Sequence, residues 1–280
     1  MNSTSRQLVQ DIERLINEPV ITCQAIRRGH SQQGFRCQTR YNHYFVKVFH
    51  NTKALNTELS FLLSGIDNVP SLIAHDSKLF VQAFIDAPLL FDVEQDKIKR
   101  LVLLIRGLTT FHQDAQQHVD ESQFTRLRMI DALTSLHVPD LLTKQQSFSY
   151  HTVLEQALFI DSLDMHSIVC HGDFNANNVF YSDGRFVFID FEAASLAPAA
   201  YDLMMMLSIN GYLSSDIEET IRLYNQFMVS AGFSTIDLCA KQLESLFNIA
   251  TVINGLWYLK KAKDENRFDE YATRHFNQLR

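Results

Sequence analysis

The chain has 280 residues, of which 46% are hydrophobic and 20% are charged. This usage is that of an ordinary globular protein, and it excludes a disordered chain, a collagen-like chain and a small disulfide scaffold. At a prior of about 150 residues per domain, the length predicts two domains or one domain with two lobes. The formal net charge of -7 disfavours a protein whose main task is to bind nucleic acid phosphates.

The hydropathy of the sequence predicts the cellular location of the protein, and the spacing of the cysteines predicts their redox state. The first ten residues are polar, and no run of 18 apolar residues occurs, so we expect neither a signal peptide nor a membrane span, and a cytoplasmic location. Four cysteines lie far apart in the sequence without a C-x-x-C pair, which favours reduced, mostly buried thiols over a zinc site or disulfide bridges. These are Cys23, Cys37, Cys170 and Cys239.

The first 85 or so residues alternate between helical and strand patterns. Apolar residues at helical spacing predict a helix at the start, and a glycine-containing loop followed by alternation predicts antiparallel strands. The expected elements are a helix over Arg6–Ile16, strands within Ile26–Phe49, a helix over Thr52–Leu63 and a strand over Lys78–Ile85. Together they predict a small α+β unit.

The rest of the chain is dominated by helical periodicity. Helices are expected over residues 96–113, 124–136, 149–160, 217–229 and 238–263. The exception is the stretch from Ile168 to Phe191, where short β-rich segments surround polar residues and Asp183-Gly184 predicts a hairpin turn. The candidate hinge between the two parts is Asp86 to Pro88.

The densest group of polar residues lies in this exceptional stretch. Asp173 and Asn178 are five positions apart, and Asp190 follows Asn178 by twelve, with the hairpin folding Asp190 back on the first pair. A hard cation such as Mg²⁺ prefers carboxylate and amide oxygens, which Asn178 and Asp190 supply, and Asp173 is left to meet a substrate hydroxyl. The alternative is an ordinary Asp–Asn hydrogen-bond cluster in a capped loop.

The residues His171, Asp173, Asn178, Asp190 and Glu192 form the pattern H-x-D-x-x-x-x-N followed by I-D-x-E. This pattern resembles the aminoglycoside phosphotransferase and choline kinase superfamily of protein-kinase-like enzymes. The resemblance implies an α+β, bilobal protein-kinase-like fold, with a small antiparallel-sheet lobe at residues 1–86 that binds nucleotide and a larger, mainly helical catalytic lobe at residues 87–280. It implies ATP and Mg²⁺ as cofactors, Asp173 as the catalytic residue, and Asn178 and Asp190 as metal ligands.

A kinase-like fold also needs a lysine on a central strand of the small lobe to pair with nucleotide phosphates. Lys47 lies within the apolar strand Tyr44–Phe49 and meets this need, although lysines on strands commonly face solvent. Glu58 on the following helix is the expected carboxylate partner of Lys47, with an exposed helix glutamate as the alternative. Ser31, in a loop between two glycines, is expected to contact phosphate; the loop lacks the P-loop pattern, which disfavours a Walker-type NTPase.

Three further positions take roles from the resemblance. His171 and Asp202 match structural positions, with Asp202 bracing the catalytic loop through hydrogen bonds, and Glu192 is assigned to the acceptor side. Met204 to Met206 are expected to fill the core, and His112 is interpreted as a packing residue.

The C-terminal stretch resembles the end of choline and ethanolamine kinases and of bacterial thiamine kinase, where aromatic rings wall the acceptor pocket. Trp257 and Tyr271 are the candidates, because ring faces and nearby carboxylates hold a cation that cannot donate enough hydrogen bonds. Asn254 stands where many choline kinases have a second tryptophan, which weakens choline in particular. The alternative is that Trp257 and Tyr271 are core residues.

The expected function is transfer of the γ-phosphate of ATP to a hydroxyl of a small cationic or amino alcohol, such as choline, ethanolamine or thiamine. The partner is a small-molecule hydroxyl acceptor, with neither nucleic acid nor membrane. The alternatives are an aminoglycoside phosphotransferase and a nucleotide-binding regulator that has lost catalysis. A protein kinase is disfavoured because no A-P-E segment follows Asp190, and a metal-dependent hydrolase because no second histidine cluster exists.

Overall fold

The computed structural model describes residues 3–26, 33–136, 138–263, 265 and 268–279. The N-terminal part contains a five-stranded antiparallel sheet in the order β1-β2-β3-β5-β4, with one helix before it and one inserted after β3. The elements are α1 (Ser3–Ile16), β1 (Thr22–Ile26), β2 (Gln33–Gln38), β3 (His43–Val48), α2 (Thr52–Leu62), β4 (Leu72–His75) and β5 (Leu79–Ala83).

The two faces of this sheet pack against different helices. Successive side chains of a strand point to opposite faces, so Val46 packs with Ile12 of α1. Phe49 and Phe80 pack with Leu55 and its neighbours on α2. Lys47 follows Val46 and therefore points to the α2 side, which places its ammonium group against a helix that carries a carboxylate.

The C-terminal part is mainly helical and contains two small two-stranded sheets, β6 with β9 and β7 with β8. Helix α9 is buried along most of its length, and Met204 to Met206 are buried in α7. The elements are α3 (Leu90–Val93), α4 (Lys97–His118), α5 (Met129–Leu136), α6 (Lys144–Asp161), β6 (Ile168–Cys170), β7 (Val179–Ser182), β8 (Arg185–Phe188), β9 (Ser195–Ala197), α7 (Ala199–Ile209), α8 (Ile217–Ser230), α9 (Ala240–Ala262) and α10 (Phe268–Phe276).

This architecture confirms the predicted α+β fold class, with an antiparallel sheet first and a mainly helical part after it. The predicted boundary at residues 86/87 falls in the connection between β5 and α3 and stays a prediction. Within the residues that the structure describes, no helix combines the length and the apolar character needed to cross a membrane.

The predicted helix over Phe124–Leu136 is wrong in its first turn. Leu127 donates its backbone N–H to the carbonyl of Leu196 at 2.8 Å, so this segment is extended beside β9. The helix begins only at Met129, whose N–H is accepted by the carboxylate of Asp161 at 2.8 Å. A tertiary cap from another helix therefore decides where α5 begins, and the helical periodicity of the sequence alone does not contain it.

Candidate active site

The loop between β6 and β7 carries Asp173 and Asn178 and is fixed from within. Asn178 donates through Nδ2 to both the carbonyl and Oδ2 of Asp173, each at 3.0 Å. Asn175 donates to the other carboxylate oxygen of Asp173 at 3.1 Å. Phe174 and Ala176 are buried beneath the loop. The carboxylate of Asp173 is thus held in one orientation above an apolar base.

Asp202 of α7 supports this loop from below. Its carboxylate accepts the backbone N–H groups of His171 at 2.7 Å and Gly172 at 2.9 Å, and it lies 3.0 Å from Nε2 of His112. Burial acts to raise the pKa of Asp202, but the hydrogen bonds from His112 and Gly172 outweigh burial, and the pKa lies below its usual value. The loop is therefore tied to a buried anion, as the predicted bracing role of Asp202 requires.

Gly172 is required by the same geometry. Its φ is +79°, and a Cβ at this position would lie 2.3 Å from the carbonyl oxygen of Ala193. A left-handed φ and this close backbone approach both exclude larger residues. The ring of His171 extends the support, since its Nε2 lies 3.1 Å from the carbonyl oxygen of Ile189.

The hairpin of β7 and β8 brings Asp190 back to the loop. Val179 pairs with Phe188, and Ile189 donates its N–H to the carbonyl of Asn178 at 3.1 Å. Asp190 itself has φ +70°, a left-handed conformation that is uncommon outside glycine. The structure therefore places Asn178 and Asp190 at the same end of one hairpin, as the sequence spacing predicts.

Lys47 lies at the centre of a group of three carboxylates. Its Nζ donates to Glu58, donates to Oδ1 of Asp190 at 2.6 Å, and lies 3.8 Å from Oε2 of Glu192. Lys47 and Glu58 are both buried. Burial acts to lower the pKa of Lys47, but the negative charges of Glu58, Asp190 and Glu192 outweigh it and raise the pKa, so the ammonium stays charged.

Three carboxylates around one lysine leave an excess of negative charge that fits a divalent cation. Oxygens of Glu58, Asp190 and Glu192 lie within 4.8 Å of one another, and hard cations such as Mg²⁺ prefer such oxygens. Oε2 of Glu192 is buried and has no hydrogen-bond partner among the described residues. Since Nδ2 of Asn178 is engaged with Asp173, Oδ1 is the atom that Asn178 can offer a metal.

The structure places Glu192 differently from its sequence-based assignment to the acceptor side. Glu192 faces Lys47 and belongs to the carboxylate group with Glu58 and Asp190. Of the other predicted residues, Ser31 lies outside the described residues, together with most of its loop.

Asp173 has an environment that suits a proton acceptor near neutral pH. Burial, reinforced by the negative charge of Asp190, raises its pKa to about 7, although hydrogen bonds from Asn175 and Asn178 act in the opposite direction. A base of this strength is only partly protonated near neutrality and can still accept a proton from a hydroxyl.

Aromatic rings from the end of α9 and from α10 form a cluster. Tyr258 is central: its ring lies 5.1 Å from that of Trp257, 5.3 Å from that of Tyr271 and 6.0 Å from that of Phe268. Burial, reinforced by the charge of Asp173, raises the pKa of Tyr258 to about 12. Tyr258 is thus within electrostatic reach of Asp173, and sequence reasoning named its neighbours but not Tyr258 itself.

The position that many choline kinases fill with tryptophan is internal here. Asn254 is buried and donates to Oγ of Ser208 at 3.1 Å. Asn254 is therefore a packing residue between α9 and α7, while the two named aromatics, Trp257 and Tyr271, belong to the ring cluster. Tyr271 is 48% exposed, so one edge of the cluster faces solvent.

Sequence reasoning also missed Asn210, which follows α7. Its Oδ1 accepts the N–H of Ala176 at 3.0 Å, and its Nδ2 donates to the carbonyls of Phe174 at 3.2 Å and Met206 at 2.7 Å. Asn210 therefore holds the segment between Asp173 and Asn178. In the sequence, Asn210 precedes Gly211, a pair that indicates only the end of a helix.

A comparison with sequence families finds a match over most of the chain. Residues 22–235 match the phosphotransferase enzyme family, and the chain belongs to this family. An uncharacterized kinase-like protein of Caenorhabditis elegans is 28% identical over 118 residues, which are 38% of this chain and 31% of that protein. The chain thus matches about a third of the length of this curated relative.

Solved structures share the fold over nearly the whole chain. The choline kinase LicA from Streptococcus pneumoniae has a TM-score of 0.75 at 17% identity, covering 99% of this chain and 97% of its own. The aminoglycoside phosphotransferase APH(4)-Ia, a thermostable mutant in complex with AMP-PNP and hygromycin B, has a TM-score of 0.71 at 14% identity, covering 99% and 98%. Spectinomycin phosphotransferase APH(9)-Ia, with ADP and spectinomycin, has a TM-score of 0.64 at 17% identity, covering 97% and 93%.

Proposed function

We propose that the protein is an ATP-dependent small-molecule kinase that transfers the γ-phosphate to a hydroxyl of a cationic or amino alcohol, such as choline, ethanolamine or thiamine. The observation that carries this proposal is the pairing of two distinct features at one hairpin end. Asp173 is held with a raised pKa, and Lys47 lies beside Asp190 at 2.6 Å in a carboxylate group that fits a metal. The first feature suits a hydroxyl acceptor, and the second suits a metal-bound polyphosphate.

The positions of these side chains indicate which of them would bind phosphate and which would bind the metal. Lys47 would contact phosphate oxygens, and Asp190 with Asn178 and the neighbouring carboxylates would hold Mg²⁺, which neutralises charge on the phosphates when bound. Glu58 would keep Lys47 in place. Phosphotransferases with the same fold have been solved with ADP and with AMP-PNP, which supports a nucleotide as the phosphate donor.

The reaction itself transfers one phosphoryl group and one proton. The acceptor oxygen bonds to the γ-phosphorus while the bond from that phosphorus to the β–γ bridging oxygen breaks, and ADP leaves. Asp173 orients the acceptor hydroxyl and takes its proton late in a loose transition state. Asn178 and Asn175 hold the carboxylate for this role through their hydrogen bonds at 3.0 and 3.1 Å.

A cationic acceptor is favoured by the surroundings of Asp173. The ring of Tyr258 is stacked between those of Tyr271 and His275, and Nζ of Lys261 lies 5.4 Å from the centroid of the Trp257 ring. The exposed part of the cluster at Tyr271 is therefore the aromatic surface that would attract a quaternary or amino cation. The negative charge of Asp173 helps to raise the pKa of Tyr258, and the same charge would attract a cation bound beside these rings. The same features would suit a polycationic aminoglycoside, which belongs in the test for this reason.

The test is ADP release from ATP and Mg²⁺ with purified protein against choline, ethanolamine, thiamine and aminoglycosides, with Asp173→Asn as the blank. We expect release above the blank with one class of acceptor. Release with an aminoglycoside alone would replace the proposed acceptor class. If ATP binds in calorimetry but no acceptor gives release above the blank, the proposed acceptor class is wrong, and the acceptor is another compound or the protein is a nucleotide-binding regulator.

A further inference from the structure

Two of the four cysteines that lie far apart in the sequence are neighbours in the fold. Cys23 of β1 and Cys37 of β2 are directly opposite in the antiparallel register, and their Sγ atoms are 2.8 Å apart. Opposed residues in antiparallel strands have Cα atoms about 4.5 to 5.5 Å apart, which lies within the range of about 4.4 to 6.8 Å that a disulfide bridges. The register of the strands and the contact between the sulfur atoms therefore place the two cysteines where a disulfide can form.

The two thiols differ in access. Cys37 is fully buried beneath α1, among Ile12, Tyr44 and Val46. Cys23 is only partly buried and lies on β1, the edge strand of the sheet. A reagent in solution can therefore reach Cys23 first, and Cys37 is placed to attack whatever forms there.

We propose that Cys23 and Cys37 form a reversible thiol-oxidation site whose co-reactant is a small disulfide such as oxidised glutathione. The Cys23 thiolate attacks one sulfur of the small disulfide, forming a mixed disulfide and releasing one thiolate. Cys37 then loses its proton to solvent and attacks the Cys23 sulfur, which releases the second small thiol. Two protein thiols become one disulfide, and one small disulfide becomes two thiols.

The electrostatics of the pair agree with this order of steps. The hydrogen bond from Cys37 lowers the pKa of Cys23, against the opposing effect of burial, and the same bond together with burial raises the pKa of Cys37. Cys23 is therefore the more readily deprotonated thiol of the pair, and thiolates rather than thiols attack disulfides.

Oxidation of Cys23 and Cys37 would act on the first hairpin of the N-terminal sheet. β1 and β2 form the hairpin whose connecting residues, 27–32, include Ser31, and a bond between Cys23 and Cys37 would fix the register of that hairpin. The pair lies on the α1 side of the sheet, whereas Lys47 points to the α2 side, so this site is separate from the candidate active site. The inference does not depend on the proposed kinase activity.

The test uses the full chain with oxidised glutathione, followed by alkylation of the remaining thiols and peptide mapping without reductant. We expect a crosslinked peptide pair containing Cys23 and Cys37, the loss of two hydrogen masses at this pair, reversal by dithiothreitol, and a rise in Tm of roughly 5 °C while the bond persists. Cys239 is exposed, and its conversion to a glutathione adduct shows in the same sample that the oxidant has acted.

Two variants separate the steps. Cys37→Ala should trap the glutathione adduct at Cys23, whereas Cys23→Ser should leave Cys37 unmodified; Cys23→Ala replaces the latter if the serine variant does not fold. The inference is overturned if Cys239 carries glutathione while Cys23 and Cys37 are both recovered as alkylated thiols. It is equally overturned if a mixed disulfide at Cys23 persists beside a free Cys37.

Discussion

Replacement of Asn210 by alanine should separate loop positioning from nucleotide binding. Asn210 makes three hydrogen bonds to backbone groups, two of them to the loop residues Phe174 and Ala176. Each bond contributes about 1 kcal/mol net, and the N–H of buried Ala176, once unpaired, costs about 1 to 3 kcal/mol. We therefore expect Asn210→Ala to lower the free energy of unfolding by about 2 to 3 kcal/mol.

The effect on catalysis should be larger than this loss of stability implies. Without Asn210, the segment between Asp173 and Asn178 is free to shift, and a misplacement of about 1 Å costs roughly 100-fold in rate. Lys47 is held by Glu58 and Asp190, not by Asn210. We therefore expect kcat to fall by about 100-fold while the KM for ATP changes little.

Asn225 provides a matched control. Its side chain also bridges backbone groups, accepting the N–H of Ile236 at 2.8 Å and donating to the carbonyl of the same residue at 2.9 Å, between α8 and the segment before α9. Asn225→Ala should lower stability by about 2 kcal/mol and leave kcat unchanged. Asn210→Asp keeps the acceptor for Ala176 but cannot donate to Phe174, so its kcat should be intermediate.

The assay is steady-state ADP release for the four proteins at a temperature well below every Tm, together with chemical unfolding. If Asn210→Ala keeps the kcat of the wild type, the loop does not depend on Asn210. If Asn225→Ala loses kcat to the same extent, the loss follows stability rather than the position of Asp173, and the reasoning from the hydrogen bonds is wrong.

Four further predictions follow from the same contacts. Since Asp173 has a pKa of about 7 in the folded protein, kcat/KM for ATP should fall about tenfold per pH unit below pH 7, and a profile that is flat between pH 5 and 8 would contradict this. Because the pKa of Asp173 is higher in the folded than in the unfolded protein, where it is about 4, the wild type loses stability as the pH rises from about 4 to about 7. Asp173→Asn should therefore match the stability of the wild type at pH 4 and exceed it by about 2 kcal/mol at pH 8. Water around the partly buried carboxylate reduces the full effect to this value. Lys47→Met leaves Glu58 and its two neighbouring carboxylates without their cation. The Tm should therefore fall more at pH 8 than at pH 5, and the KM for ATP should rise at least tenfold. Lys47→Arg, which keeps the positive charge, is the control. Tyr258→Leu should raise the KM for the acceptor about tenfold and spare the KM for ATP, whereas Phe148→Leu, at an aromatic residue that is 76% exposed, should change neither.

Structure is predicted most accurately from the sequence where a single local pattern determines the conformation of a segment. The spacing of Asp173, Asn178 and Asp190 implies a loop and a hairpin, and the structure has both. Lys47 could be named because a kinase-like fold, which the downstream motif implies, needs a lysine on a central strand, and Lys47 lies within an apolar strand. Strand β9 could not be predicted, because Ser195–Ala197 is short and pairs with β6 across the chain.

The contacts of Asn210, Glu192 and the cysteine pair, which the sequence did not predict, join residues distant in sequence. Asn210 acts on a loop more than thirty positions earlier, and Glu192 lies beside Lys47, a residue of another part of the chain. Cys23 and Cys37 meet only through the register of two strands. Periodicity reports which face of an element is apolar, whereas these three outcomes depend on how elements are placed against each other.

The most direct test of the account is phosphoryl transfer from γ-labelled ATP to the best acceptor by Asp173→Asn, with the affinity for ATP and Mg²⁺ measured on the same preparation. In the proposed mechanism, Asp173 takes the proton of the acceptor, and Lys47 and Asp190 hold the nucleotide. Transfer by Asp173→Asn should therefore fall by about 1,000-fold, while the Kd for ATP stays close to that of the wild type. Transfer at the rate of the wild type, or loss of ATP binding with the substitution, would contradict it.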